Sequence, residues 1–328
     1  MLRFVGQRLV IMVPMLLLVS MLSFLIIQLP PGDYVDTYVN NLRRSGTSLD
    51  ASVVQQLKER YALDKPKMVQ YYIWIRNIVT RGDFGGSFAY NRPVADMLKE
   101  RVPRTMAISL AGILLAWLIA VPIGIYSAIR QYSVFDYIFT FLGFLGLALP
   151  AFLFAIVLVF IIYQRTGWAI TGIFSAQYQN APWSPARFWD MIKNLAIPLL
   201  VLSTSGAAGL IRILRATLLD ELKKQYVVTA RSKGLREIRL LFKYPVRLAI
   251  NPLISTIGWI LPAAVGGEVV VSQVLNLPTT GPILIFSIQN QDMYLAGGIL
   301  LLLSSLTLLG TLISDILLAA VDPRIRYR

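Results

Sequence analysis

Apolar residues are concentrated in six long runs that are separated by polar and charged stretches. Each run has about twenty residues or more, and a helix of that length crosses a hydrocarbon core of about 30 Å at 1.5 Å per residue. The pattern therefore predicts an all-α membrane protein with six transmembrane helices. Their predicted ranges are 9–29, 105–129, 135–163, 195–213, 250–274 and 294–320.

Lysine and arginine are distributed unevenly among the connections between these runs. Arg3 and Arg8 precede the first run, Arg130 follows the second, and basic residues also fill the loop 214–249 and the tail 322–328. The shorter connections on the opposite side carry few basic residues. Because short cytoplasmic loops are enriched in Lys and Arg, we expect both termini and the loop 214–249 to be cytoplasmic.

The stretch 30–103 between the first two runs carries both signs of charge and is much longer than the other connections. Long segments cross a membrane largely regardless of charge, so an external position remains consistent with the predicted orientation. The sequence thus predicts a first segment 1–29, an external subdomain 30–103 and a five-helix core 104–328.

Periodic apolar residues predict a small helical structure within this external segment. One helix is expected around 53–61, and a second should bury a face formed by Val69, Ile73, Trp74 and Ile78. Pro93 suits the first turn of a short helix that leads into the second run. About seventy residues without a disulfide bury little core, so we expect the subdomain to lie on the membrane helices.

Composition narrows the class of protein further. Hydrophobic residues make up 56% of the chain, which exceeds the range of ordinary soluble domains. A net charge of +14 would suggest nucleic acid for a soluble protein, but here the basic residues lie at the ends of apolar runs and indicate topology. We therefore expect a lipid bilayer and no nucleic acid as the environment of the chain.

Several classes of enzyme are disfavoured by missing residue types. The chain contains no cysteine and no histidine, which removes the commonest metal ligands and the commonest general base. A GxxxxGK[ST] phosphate-binding loop is also absent from the sequence. We predict no catalytic residue, metal site or cofactor in this chain, and any ATP hydrolysis must occur on another chain.

The basic loop between the fourth and fifth runs is the most informative stretch of the sequence. It contains the run TARSKGL at positions 229–235. Ala230 and Gly234 are four residues apart, so a helix would place them on one bare face that another protein can approach closely. The alternative is a basic loop that marks the cytoplasmic side and has no partner.

This run resembles the EAA loop of the permease subunits of bacterial ABC importers, in the variant of the dipeptide, oligopeptide and nickel branch. Further motifs resemble the same family: LPPGD at 29–33, RYALDKP at 60–66, GDFG at 82–85 and DPRIR at 322–326. The external RYALDKP segment is similar to that of the first, B-type, of the two permease subunits.

The resemblance implies a type I ABC importer permease fold in a bacterial or archaeal cytoplasmic membrane. It implies as partners a second homologous permease, two ATPase subunits that bind ATP and Mg²⁺, and an extracytoplasmic substrate-binding protein. It also implies a set of ATPase-coupling residues in the loop, namely Thr229, Ala230, Arg231, Lys233, Gly234, Leu235 and Glu237.

One departure from the family changes the expected shape of this loop. Tyr244 and Pro245 stand where family members often have His-Ala. Proline has no N–H and disfavours helix at the residue before it, so a helix should end or kink at Tyr244.

Three residues near the fifth run are candidates for the translocation pathway or its gate. They are Glu268, Pro278 and Gly281. A carboxylate in hydrocarbon is costly, so Glu268 should line the pathway, pair with a neighbouring helix or be exposed at the outer boundary. Asp315 in the sixth run is expected to have a structural partner. The stretch 277–282 is predicted to be a stiff, bent loop.

The substrate class stays open at this stage. The branch of the family implies oligopeptides, whereas 90–93, 181–184 and 277–282 resemble a subgroup associated with oligosaccharide uptake as well. A secondary transporter, which works without ATP, is a more distant alternative. It is disfavoured because the loop that resembles an ATPase contact would then have no role. A membrane enzyme is disfavoured because Glu268 and Asp315 fall toward opposite faces of the membrane.

Overall fold

The computed structural model describes residues 2–28, 65–168 and 172–321, together with positions 35, 39, 54, 55 and 59. Helices account for nearly all regular structure in these residues. They are α1 (Leu2–Ile27), α2 (Lys67–Arg81), α3 (Val94–Ile129), α4 (Val134–Ala148), α5 (Ala151–Thr166), α6 (Pro185–Leu222), α7 (Gln225–Ser232), α8 (Glu237–Lys243), α9 (Pro245–Ala249), α10 (Asn251–Val274), α11 (Thr280–Gln289) and α12 (Met293–Val321). Strands β1 (Gly86–Ser87) and β2 (Arg92–Pro93) form an antiparallel pair.

Four helices in the described part of the chain are long and apolar enough to cross a membrane. They are α1, α3, α6 and α12. Helices α4 and α5 meet the same test when they are taken together, which raises the number to five. The fifth predicted run forms α10, although the side chains at 257–265 and 267 lie outside the described residues. The membrane character of the chain is clear, and the number six stays a prediction.

The third predicted span, 135–163, is wrong as a single straight helix. The helix axis bends by 111° between α4 and α5, around Leu149 and Pro150. Leu149 has an extended conformation with φ −85° and ψ 127°, which is typical of a residue before proline. Each half is only about 24 Å long at 1.5 Å per residue, which is short for a span of its own.

The short helix predicted from Pro93 does not exist as a separate element. Pro93 belongs to β2, and one continuous helix of 36 residues, α3, starts at Val94. Pro103 lies inside this helix, at the predicted boundary between the external segment and the core. The boundary at residue 103 is therefore not marked by any break in the backbone.

Helix α6 is twice as long as the predicted span 195–213. It has 38 residues, and its start is fixed by Ser184, whose hydroxyl accepts a hydrogen bond from the Arg187 N–H at 3.2 Å. Pro185 occupies the first helical position, where its missing N–H is harmless. A serine cap followed by proline is a start signal that the sequence contains and that apolar periodicity alone does not reveal.

The chain divides into two compact units. The first consists of Met1–Gly6, Thr105–Pro278 and Thr307–Arg328, and the second of Gln7–Arg104 and Thr279–Leu306. The core of the first unit is built on α6, whose Leu210, Leu214 and Leu218 are almost completely buried. Small residues allow close packing there, since a Cβ at Gly146 would lie 2.8 Å from Cγ2 of Thr204.

Within the second unit, α2 packs on α1. The Phe24 ring lies 5.5 Å from the Tyr71 ring and 5.9 Å from the Trp74 ring, and the Ser20 and Tyr71 hydroxyls are 2.8 Å apart. Trp74 is buried as predicted for α2, whereas Val69 is exposed. The helix predicted at 53–61 lies outside the described residues, except for positions 54, 55 and 59.

Asp292 ties the hairpin of this unit to the start of α12. Its carboxylate accepts hydrogen bonds from the Ser87 hydroxyl at 2.6 Å, the Ala89 N–H at 3.1 Å and the Leu295 N–H at 3.2 Å. The last bond caps the helix, because it satisfies an N–H that has no partner within the first turn. Burial raises the pKa of Asp292, and these hydrogen bonds oppose the rise.

Candidate functional site

The predicted coupling loop folds into three short helices, α7, α8 and α9. Helices α7 and α8 are held together by a small apolar cluster. Its buried members are Val227, Ala230 and Leu240, and Tyr226, Leu235 and Tyr244 pack against them. The loop is thus a folded unit with an inner and an outer surface, which gives its side chains defined directions.

The bare helical face predicted for Ala230 and Gly234 is wrong. Helix α7 ends at Ser232, and Gly234 lies beyond it with φ +75°, in the left-handed region that glycine adopts readily. Ala230 is only 7% exposed, because it faces the inner cluster. Gly234 therefore lies after the end of α7, where it turns the chain toward α8, and its predicted role in ATPase contact stays a prediction.

An ion pair closes the turn that Gly234 makes. The Arg231 guanidinium donates to both carboxylate oxygens of Glu237, at 2.6 Å and 3.2 Å. This hydrogen bond holds the pKa of Glu237 below its ordinary value. Both side chains are about half exposed, so the pair contributes to geometry more than to stability. Thr229 bonds its own helix through the Gln225 carbonyl, and Lys233 is exposed.

The outer surface of the loop carries large apolar side chains that the sequence analysis did not select. Ile238 is 74% exposed, Phe242 59% and Val228 44%. Ile238 and Phe242 are four residues apart on α8 and share one face, while Leu240 and Leu241 are buried. Exposed apolar side chains grouped in this way are typical of an interaction surface. Helical periodicity within 237–243 was the signal that could have identified them.

The break predicted at Tyr244 and Pro245 is confirmed. Helix α8 ends at Lys243, Tyr244 has φ −120° and ψ −80°, and Pro245 is the first residue of α9. The chain changes direction here because Pro245 cannot donate the N–H that would continue α8. This turn also brings Tyr244 back onto the inner cluster.

Hydrogen bonds anchor the loop to the end of α6. The Thr217 hydroxyl lies 3.1 Å from the Ala249 carbonyl oxygen and within reach of two carbonyls of α6, and Glu221 pairs with Lys224 at 2.7 Å. The Tyr226 hydroxyl also donates to Glu221, and burial together with this bond raises the pKa of Tyr226. These contacts hold the loop against the end of α6.

A buried ion pair joins α6 to α4 a little further along. Arg215 donates through Nη2 to Asp136 at 2.9 Å and through Nε at 3.1 Å. The Asp136 carboxylate is also bonded by the Tyr132 N–H at 2.9 Å, and its side chain is 3% exposed against 28% for Arg215. These residues are 79 positions apart, and nothing in the sequence paired them.

Glu268 is completely buried on α10. The expectation that it is exposed at a membrane boundary is therefore wrong, whereas the pathway and structural-pair alternatives both remain. Pro278 is half-buried, and Gly281 is buried in the first turn of α11. Glu268 and Pro278 belong to the first unit and Gly281 to the second, so a gate formed by all three stays a prediction.

The bent loop predicted at 277–282 is wrong in its second half, because α11 begins at Thr280. Pro282 fits within the first turn, where its N–H is not needed. The apolar helix α11 has only ten residues, which is too few to be predicted as a span. Among the described residues, no group of three or more His, Cys, Asp and Glu side chains is placed to hold a metal ion.

Comparison with known proteins identifies the family. Residues 120–327 match the model of the inner membrane component of binding-protein-dependent transport systems, and residues 1–110 match the model of its N-terminal region. The oligopeptide transport system permease protein AppB of Bacillus subtilis is 36% identical over 325 residues, or 99% of each chain. OppB of Haemophilus influenzae, an oligopeptide transport system permease protein, is 30% identical over the full length of both chains.

The glutathione transport system permease protein GsiC of Escherichia coli K12 is likewise 30% identical over all of both chains. These matches extend from the first helix to the last and include the loop 214–249. The chain therefore belongs to the family of inner membrane components of binding-protein-dependent transport systems, on the branch of the B-type peptide and oligopeptide permeases.

Proposed function

We propose that this chain is the permease subunit of an ATP-driven importer of oligopeptides that depends on an external substrate-binding protein. The folded loop of α7, α8 and α9 is the observation that carries the proposal, because it offers a defined surface for an ATPase. Two relatives named for oligopeptides, similar over their whole length, support the substrate class.

The proposed architecture has six transmembrane helices in the type I importer arrangement. Both termini and the loop 214–249 lie in the cytoplasm, and the segment 30–103 lies outside. The chain lacks cysteine, so single introduced thiols report on topology without background. Ser45→Cys should react with an impermeant reagent in intact cells and Ser232→Cys only after permeabilisation. The reverse pattern would overturn the orientation.

The proposed complex contains a second, homologous permease and two ATPase subunits, which bind ATP and Mg²⁺. The substrate-binding protein delivers peptide from outside. When the ATPases close, they push on α7 and α8, and α6 passes this displacement to the membrane helices. The permease then alternates between an inward-open and an outward-open state.

We assign the ATPase contact to the outer surface of the loop. Val228, Ile238 and Phe242 would enter an apolar groove of the ATPase, as in other helix-in-groove contacts. Five exposed basic side chains belong to the same stretch of the loop, so we expect acidic residues on the facing surface of the ATPase. They are Arg231, Lys233, Arg236, Arg239 and Lys243. The shape of this surface would then depend on four residues that do not contact the ATPase at the centre of the interface. They are Ala230, Gly234, Leu235 and Glu237.

Reconstituted complexes carrying Ile238→Ser test this assignment. Burial of an isoleucine side chain is worth about 2 kcal/mol, so ATPase association should weaken roughly 30-fold. Leu248→Ser is the matched control, because Leu248 is also an exposed apolar residue but lies on α9. Peptide-stimulated ATP hydrolysis should fall with Ile238→Ser alone. Equal effects of the two variants, or no effect of either, would sink the assignment.

The substrate class is tested in the same reconstituted importer. Uptake should follow short peptides in the presence of the binding protein and ATP. A binding protein that ignores peptides and drives uptake of oligosaccharides would contradict the proposed substrate while leaving the coupling surface intact.

A further inference from the structure

A cavity lies between α2, the β1–β2 hairpin and Tyr294 in the second unit. Its volume is about 440 Å³, which falls within the range of small-molecule binding sites. The side chains that matter for recognition are Ile73, Trp74, Asn77, Asp83, Asn91 and Arg92. Neither the coupling surface nor the candidate gate residues contribute to it.

The walls of the cavity are fixed by their own contacts. The Trp74 indole N–H donates to the Phe84 carbonyl at 3.2 Å. The Trp74 side chain is buried, and its ring stacks on the Phe24 ring. Gly85 has φ +91°, and a Cβ there would lie 2.9 Å from the Tyr294 ring, so only glycine lets the backbone approach so closely. A site with fixed walls loses little entropy when a ligand binds.

Several polar groups on the cavity wall are available to a ligand. The side-chain amides of Asn77 and Asn91 make no hydrogen bond with any residue that the structure describes. Asp83 uses Oδ1 to accept the Gly85 N–H at 2.8 Å, which leaves Oδ2 for another donor. Among the described residues, Arg92 has only a long contact of 4.0 Å with Glu100, and both side chains are exposed.

This set of groups selects among ligand classes. One carboxylate is too few for a metal ion, and it repels a phosphate that Arg92 might otherwise attract. An oligosaccharide commonly needs an exposed aromatic face, but Trp74 is only 3% exposed, and the half-buried Tyr294 ring is packed against Gly85 and Phe88. A ligand with an ammonium group, a carboxylate, peptide amides and an apolar side chain matches every group on the wall.

We propose that the cavity binds a short peptide by its amino-terminal end. The ammonium group pairs with Asp83, and the first peptide bond meets the amides of Asn77 and Asn91. The first side chain lies against Ile73, and Arg92 attracts the peptide carboxylate. This inference rests on the proposed function and adds a substrate contact on the permease itself, at a distance in sequence from the coupling loop.

Binding of radiolabelled trileucine to the complete importer in lipid nanodiscs, without the binding protein, tests the proposal. Asp83→Asn should weaken binding about fivefold, the size expected for a partly exposed ion pair. The asparagine can still accept the Gly85 N–H, so the wall keeps its shape. Asp96→Asn is the matched control, because Asp96 is exposed on α3 and does not line the cavity. Its affinity should equal that of the wild type.

Two further measurements separate ligand recognition from a structural effect. N-acetyl-trileucine should bind the wild type as weakly as trileucine binds Asp83→Asn, and acetylation should cost nothing more in that variant. Arg92→Gln should weaken trileucine binding, whereas Arg76→Gln, on the exposed side of α2, should not. Binding that is indifferent to acetylation and to both cavity variants would overturn the proposal.

The remaining outcomes distinguish this proposal from the proposed function. If the importer with its binding protein transports peptides but the cavity binds no trileucine up to 10 mM, roughly the weakest useful affinity, the cavity proposal alone fails. Equal competition by cellotriose would also overturn it. So would an Asp83→Asn variant that loses affinity only for the binding protein, since the cavity would then hold a protein side chain.

Discussion

The buried pair of Asp136 and Arg215 should respond unequally to removal of its two partners. Arg215→Met leaves the Asp136 carboxylate buried with one remaining bond from the Tyr132 N–H. Asp136→Asn leaves a guanidinium that is 28% exposed and can be hydrated where it stands. The arginine variant should therefore be the more damaging of the two, although both remove the same contact.

The size of the difference follows from these environments. Leaving a buried charge without its partner lowers the free energy of unfolding by about 3–5 kcal/mol. The lower end of this range applies to Arg215→Met, because the Tyr132 N–H still donates to Asp136. Loss of a hydrogen bond whose charged partner can reach water costs about 1 kcal/mol. At roughly 2 °C for each kcal/mol in a chain of this size, the melting temperatures should fall by about 6 °C and 2 °C.

The assay is thermal unfolding of the purified permease complex in one detergent at one scan rate, since membrane proteins unfold irreversibly and apparent values depend on both. The double variant Asp136→Asn with Arg215→Met should recover part of the loss, because neither charge is then buried alone. Arg212→Met, on the same helix, is the control for loss of an arginine. Equal losses in the two single variants, or a double variant that sums them, would refute the reasoning.

Three other changes test the packing and the caps. Gly234→Ala should lower the free energy of unfolding by about 1 kcal/mol and weaken ATPase binding, because residue 234 has a positive φ. Gly209→Ala, where a Cβ would meet open space within α6, should be neutral or stabilising in the same assays. Gly146→Val should lower the melting temperature by several degrees, because the new side chain meets Thr204 and overpacking costs about 1–3 kcal/mol. The pKa of Asp292 is raised, so its stabilising contribution is complete below the ordinary aspartate range and is lost as pH rises through the raised value. Unfolding curves from pH 3 to 8, roughly spanning that range, should show this loss in the wild type and not in Asp292→Asn.

The apolar runs and the prolines made much of the fold predictable from the sequence. A long run of apolar residues has few structural solutions in a membrane, so α1, α3, α6 and α12 each overlap a predicted run, although α3 and α6 extend well beyond theirs. Pro245 gave a correct helix boundary because its effect is local. The same local rule would have divided the third run at Pro150, had it been given more weight than the continuous hydrophobicity around it.

Features that depend on tertiary packing could not be predicted. Spacing placed Ala230 and Gly234 on one face only on the assumption that the helix continued, and Gly234 itself ends that helix. Whether Ile238 faces outward depends on α7 packing against the opposite side of α8. The Asp136–Arg215 pair joins two helices whose approach is set by the whole unit, and sequence spacing carries no trace of it.

The length of α6 has a mechanical consequence. At 1.5 Å per residue, its 38 residues form a rod about 57 Å long, which exceeds the full thickness of a bilayer with its headgroups. One end is clamped by Asp190, which accepts hydrogen bonds from both the N–H and the hydroxyl of Ser175, and the other end carries the coupling loop. One continuous helix thus connects the Ser175 contact to the loop 214–249, and a displacement along it needs no intermediate elements. Pro198 interrupts the backbone hydrogen bonds within the rod, so any flexing should occur there.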